Sequence, residues 1–171
     1  STASASPDNA HIALFNEEVD ALTLDTDIMA WASRSKQTFT ATNATNVLTA
    51  SSHGLGNTNR VMLTTTDADL PAGLDSETVY HVVNKTVNTF KVSLTSGGAA
   101  VTFSDDGTGT HSVRAVTKAA LVDRGDFETG KATLSALVDI SGQPTGTDMS
   151  LIVQTKNNKA TKLHGMSMQY T

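Results

Sequence analysis

Gly125 to Lys131, GDFETGK, comes nearest to a catalytic signature, because it matches the first part of a phosphate-binding loop. Such a loop needs Ser or Thr after the lysine to hold magnesium, and a helix whose N-terminal amides face the phosphates. Here Ala132 follows and residues 133–140 alternate as a strand, so the motif predicts no nucleotide site. Arg124-Gly125-Asp126 is also the tripeptide that integrins recognise, but a hairpin turn is the better account of it. His11, His53, His81, His111 and His164 are far apart and include no i, i+4 pair. His53 and His164 each precede glycine, which points to turn or packing roles ahead of metal ligation. Asp105-Asp106-Gly107-Thr108-Gly109 offers oxygen ligands without the acidic spacing of a calcium loop and predicts a solvated turn. No Gly-x-Ser-x-Gly elbow occurs, and Glu17-Glu18 sit in a polar turn where glycosidase chemistry needs two carboxyls facing across a cleft. The expectation is a protein without enzyme activity, cofactor or metal.

Composition bounds the remaining classes. The chain of 171 residues carries a net charge of −5 and no basic run, so it lacks the electrostatic footprint of a nucleic-acid binder. With no cysteine, stability has to come from packing, oligomerisation or docking onto something larger. No apolar stretch approaches a membrane span and no basic, then apolar, leader opens the chain, which predicts a soluble protein without membrane contact. Aromatics are few, and the apolar content is largely Ala, Val and Leu among abundant Thr and Ser. Branched Cβ atoms suit a pleated strand better than a helix, so an all-β chain is expected.

Residues 27–36, DIMAWASRSK, read as the outgoing strand of a hairpin, with Met29 and Trp31 on one face and Ile28, Ala30 and Ala32 on the other. The returning strand begins only at Val116 and runs to Phe127. Between them the texture changes from Phe39 onward, and strand-like runs recur at 46–50, 60–64, 78–83, 89–94, 100–103 and 110–113. Gly-rich turns such as His53-Gly54-Leu55-Gly56-Asn57 and Ser96-Gly97-Gly98 separate them, the pattern of a compact antiparallel barrel or sandwich. Outside this block, strands are predicted at 11–15, 21–24, 133–140, 150–155 and 161–170, the last with His164, Met166, Met168 and Tyr170 on one face. No amphipathic helix of useful length is present, which excludes a parallel α/β fold. The reading is a polar N-terminal arm at 1–10, a host domain from 8–36 and 115–171, and an inserted small β-domain at 37–114.

Several host motifs occur in one order: Leu22-Thr23-Leu24-Asp25-Thr26-Asp27, Ser33-Arg34, Leu121-Val122-Asp123-Arg124-Gly125-Asp126, Asp139-Ile140-Ser141-Gly142-Gln143-Pro144-Thr145-Gly146-Thr147-Asp148-Met149, and Asn157-Asn158-Lys159 through His164-Gly165. Together they resemble a module at the C-terminus of tailed-phage virion proteins, and the resemblance covers nearly all the chain outside the insertion. In that family an acidic residue stands where Arg124 does, and an Asp-Gly-Gly-Thr tip follows Ser-Arg. Here the tip is missing and the inserted block takes its place, at a hairpin end where two strand termini are already adjacent. The block itself is similar to a small β-module of phage tail and capsid accessory proteins, through Ser52-His53-Gly54-Leu55, Leu70-Pro71-Ala72-Gly73-Leu74, residues 78–83, residues 88–93, residues 97–101 and Gly107-Thr108-Gly109-Thr110-His111.

The resemblance implies an antiparallel, jelly-roll-like β-sandwich with a small β-barrel or sandwich inserted at a hairpin tip, and a structural role on the virion. A capsid decoration or cement protein is expected, bound to the major capsid protein and to its own copies as a homo-oligomer on the capsid surface. Candidate contact residues are Ser1, Thr2 and Pro7 of the arm and Met166, Met168 and Tyr170 of the last strand, since Met and aromatic residues are enriched at interfaces. The alternative is a tail or fibre component with a receptor- or glycan-binding surface, for which Trp31, Tyr80 and Tyr170 would be the sugar-stacking candidates.

Overall fold

The computed structural model describes residues 7–16, 28–33, 36–66, 68–123, 133–139, 150–155 and 161–170. In chain order its strands are β1 (Pro7–Asn16), β2 (Ile28–Ser33), β3 (Gln37–Thr42), β4 (Val47–Thr49), β5 (Arg60–Thr66) and β6 (Val79–Val83). They continue with β7 (Thr89–Ser93), β8 (Thr110–Asp123), β9 (Thr133–Asp139), β10 (Ser150–Thr155) and β11 (Thr161–Tyr170). No helix occurs among the described residues, and the defined strand registers are antiparallel. The protein is therefore all-β, of an antiparallel, sandwich-like class. It divides into two compact units, one made of Ser1–Ala32 with Thr117–Thr171 and the other of Ser33–Val116.

In the first unit the strand order is β11, β1, β9, β8, with β2 bonded to β8 and to β10. β1 is held on both sides, by β9 from Asn9↔Asp139 to Phe15↔Thr133 and by β11 from Pro7↔Tyr170 to Asn16↔Thr161. Residues Pro7 to Ala10 therefore belong to a strand, a correction to the reading of 1–10 as a free arm. Proline is tolerated as the first residue of a strand, where its missing N–H interrupts no ladder, so Pro7 marks the start of β1. The alternation of β2 does not separate a wet face from a dry one, because Ala30, Trp31 and Ala32 are all buried. The expected strand at 21–24 and the turn at 124–131 lie outside the described residues.

The second unit is a closed barrel. Following the backbone bonds from β8 leads to β3, β4, β7, β6 and β5, and from β5 back to β8. Ser112 lies at the closing point, opposite Thr38 on one side and Thr64 on the other. Closure leaves no edge strand, and a ring this small has an interior that side chains can fill. β6 and β7, VYHVV and TFKVS, show how the sequence does so: Tyr80, Val82, Phe90 and Val92 point inward while His81 and Lys91 stay outside. Phe39, Leu48, Val61, Leu63 and Val113 complete the wall's contribution to the core, Leu55 enters from a loop at one end, and Leu74 and Phe103 enter from loops at the other.

Two expectations need correcting in this unit. Residues 100–103 are not a strand: Val101 donates one amide to Val92 O, and the Phe103 amide is used by Asn46 Oδ1 at 2.7 Å, so no ladder can run through them. The run at 110–113 and the returning strand after Val116 are one strand, β8, whose early residues close the barrel and whose last residues, Ala120 to Asp123, pair with β9. β3, which the sequence did not single out, supplies Phe39 to the core.

Phe90 is fully buried in the barrel core, so Phe90→Ala should cost about 3–5 kcal/mol of unfolding free energy, measured by denaturant titration. The Tyr80 hydroxyl accepts the Asp75 amide at 2.9 Å, and burial raises its pKa above the ordinary 10.0. A proton that the fold retains more tightly than the unfolded chain contributes stability that is complete below the unfolded value and is lost as pH rises through the folded one. Alkaline absorbance titration should therefore show Tyr80 ionising above 10.0, with stability falling across that window; Tyr80→Phe should remove this part of the pH dependence.

Candidate interaction surface

The backbone register brings four of the six expected contact residues onto one strand pair. Pro7 lies opposite Tyr170, Ala10 opposite Met168 and Ile12 opposite Met166, and β11 ends the strand order. Ser1 and Thr2 lie outside the described residues. From Gly165 to Tyr170 the register of β11 skips no residue, but it jumps from Gly165 to Leu163 between Ala13 and Leu14. His164 has no residue opposite it, so the period-two count that groups it with Met166 is interrupted there.

The polar residues singled out for chemistry in the barrel are used structurally. Asp105 Oδ1 accepts the amides of Ala72 and Gly107, both at 2.9 Å, and Asp106 Oδ1 accepts the Asn43 amide at 2.5 Å. Asn46 closes the β3–β4 turn with a positive φ of 52°, which asparagine adopts at low cost, and its side chain holds Phe103. Gly107 and Gly109 need positive φ, and an added Cβ would lie 2.6 Å from Pro71 N and from Thr66 O respectively. These bonds fasten residues 68–77 and 102–109 into one cap over the barrel end.

The barrel's two buried histidines are fixed by the groups around them. His53 Nδ1 accepts the Leu55 amide at 3.0 Å, which leaves its Nε2–H to donate to Thr89 O, and the ring sits edge-on to Phe90. His111 stacks on Phe39 and donates from Nε2 to Asp106 O at 3.2 Å, while its Nδ1 meets Thr65 Oγ1 at 3.1 Å. Among the described residues no group of three His, Asp or Glu side chains is placed to hold a metal ion. GDFETGK lies wholly outside the described residues, but β9 opens at Thr133 as a strand, where a phosphate loop requires a helix. Trp31 and Tyr80 are buried, so neither offers a ring face to a sugar.

The feature that sequence reasoning missed is the separation of charge along the barrel. Its described carboxylates, Asp69, Asp75, Glu77, Asp105 and Asp106, are all exposed and all belong to the cap loops at the end where β5 stops and β8 starts. Lys36, Arg60 and Lys85 lie at the other end, where β3 and β5 start and β6 stops, and Lys91 and Arg114 stand partway along the wall. In the sequence the two signs are interleaved, and only the antiparallel closure sorts alternate loops to opposite ends.

Comparison with protein-family models, curated proteins and solved structures returns no match. Asn46→Ala should destabilise the barrel by about 2 kcal/mol, combining the cost of a positive φ at alanine with the loss of an acceptor for a part-buried amide. Asn46→Gly, which relieves the first cost and keeps the second, should fall between the two in thermal melting.

Proposed function

We propose that this chain is a structural protein of a tailed-phage virion, and specifically a capsid decoration or cement protein. The observation that supports it most is the arrangement of the chain: a β-unit built from two distant segments, interrupted at residues 33–116 by a closed barrel, in the order of motifs that resembles phage particle modules. A sealed barrel adds outer surface without adding an edge that could recruit unrelated strands, which suits a protein displayed at high local concentration. The unit that contains β1 and β11 would bind the major capsid protein, and the barrel would meet neighbouring copies. Each contact can be weak, because lattice symmetry multiplies it and a bound copy presents its other contacts at high effective concentration. The proposal assigns no chemical step to the protein. The tail or fibre reading gains no support from Trp31 and Tyr80, two of its three sugar-stacking candidates.

The arm makes the reading testable. Removing residues 1–6, which precede β1, should reduce occupancy on purified shells by about tenfold while lowering the melting temperature of the free protein little, because avidity depends on each added contact. Electron microscopy of saturated particles should place the protein on the outer shell. Density at the tail, or occupancy unchanged by the truncation, would contradict the proposal or the arm's part in it respectively.

A further inference from the structure

The outer wall of β5, β6 and β7 carries cations, while the described carboxylates of the barrel lie at its far end. Arg60 lies directly opposite His81 across β5–β6, and Lys91 lies opposite Val83, two residues along β6 from His81. Side chains at paired and diagonal positions of one face stand about 5–8 Å apart, so Arg60, His81 and Lys91 form a diagonal row across three strands. Inward neighbours confirm the direction, since Val61, Tyr80, Val82, Phe90 and Val92 all belong to the core. Arg60 and the nearby Lys85, on the turn that follows β6, are exposed, and Lys91 is half-buried.

Distance decides whether these charges can be satisfied within the barrel. β5 runs from Arg60 at the cationic end to Thr66 beside the cap, and a strand rises about 3.3 Å per residue, which puts the two ends about 20 Å apart. The Debye length at 0.1 M salt is about 10 Å, so the carboxylates of the cap screen the cations of the wall hardly at all. With five described cations against five described carboxylates, the barrel is close to neutral yet strongly polar end to end. Two copies placed in line would bring opposite charges together, whereas two copies meeting at like ends would repel.

We infer that the barrel is a head-to-tail contact module: the Arg60–His81–Lys91 wall with Lys85 receives the carboxylate cap, centred on Asp69 and Asp75, of a second copy of this chain. The inference rests on the proposed structural role and deepens it by naming the surface through which copies meet. Such a contact is heterologous, so repeated copies form a ring where the rotation closes and a row where a lattice dictates the spacing. Its strength comes from long-range attraction and from rejection of the like-charged orientations, which makes it sensitive to salt.

The test uses the free full-length protein without particles, so that its failure is distinguishable from failure of shell binding. Sedimentation velocity across a concentration series should show self-association at about 20 mM salt that weakens by about tenfold or more at about 500 mM. Arg60→Glu with Lys85→Glu should abolish it, and so should Asp69→Lys with Asp75→Lys; circular dichroism melts confirm that both variants are folded. Mixing the two variants should restore a complex, because each retains the end that the other needs. The inference is overturned by a protein that stays monomeric at low salt, by association that either double variant leaves intact, or by a mixture that does not recover it.

Discussion

Ser112 and its neighbours on β8 are bonded on both sides, to β3 and to β5, and that double pairing is the constraint on which the barrel depends. An antiparallel sheet whose first and last strands stay apart has edges to protect and two faces to cover. Once β8 joins them, the inward positions of all six strands face one another and a core of modest side chains suffices. Closure also fixes which loops meet. Residues 68–77 and 102–109 are separated along the chain by all of β6 and β7, yet the ring delivers them to the same end, where Asp105, Asp106 and Asn46 spend their side chains on backbone amides.

The same closure explains how charge becomes polar without any charged run. Antiparallel strands send successive connections to alternate ends, so carboxylates placed in the β5–β6 and β7–β8 connections collect together. Cations placed at the start of β5, in the β6–β7 turn and on outward wall positions collect elsewhere. A near-neutral unit thus acquires two faces of opposite sign about 20 Å apart, farther than salt at ordinary strength lets charges interact.

Much of the strand pattern was legible in the sequence, and its failures are physical. β5, β6, β7, β9, β10 and β11 announce themselves by alternating branched and polar residues bounded by turn signals. β3 escaped notice because QTFTAT carries one large apolar residue, Phe39, and its partners are revealed only by the ring. Residues 100–103 look like a strand because Val101 and Phe103 both turn toward the core, but the Phe103 amide is bound by a side chain. Pro7 falls by composition in the polar N-terminal arm and instead begins β1. Of the contact residues, the pairing of Pro7 with Tyr170 could not be foreseen from spacing, since it depends on register across the whole chain. The charged wall was invisible for the same reason: nothing local links Arg60 to His81 and Lys91.

Residues 33–116 close on themselves through β8. Nuclear Overhauser spectroscopy of the labelled protein tests this closure directly at Ser112, whose backbone lies opposite both Thr38 and Thr64. Cross-strand contacts from Ser112 to both threonines are the predicted result. Contacts to one alone would describe an open sheet with two edges, and the account of the core, the cap and the polarity of charge would fail together.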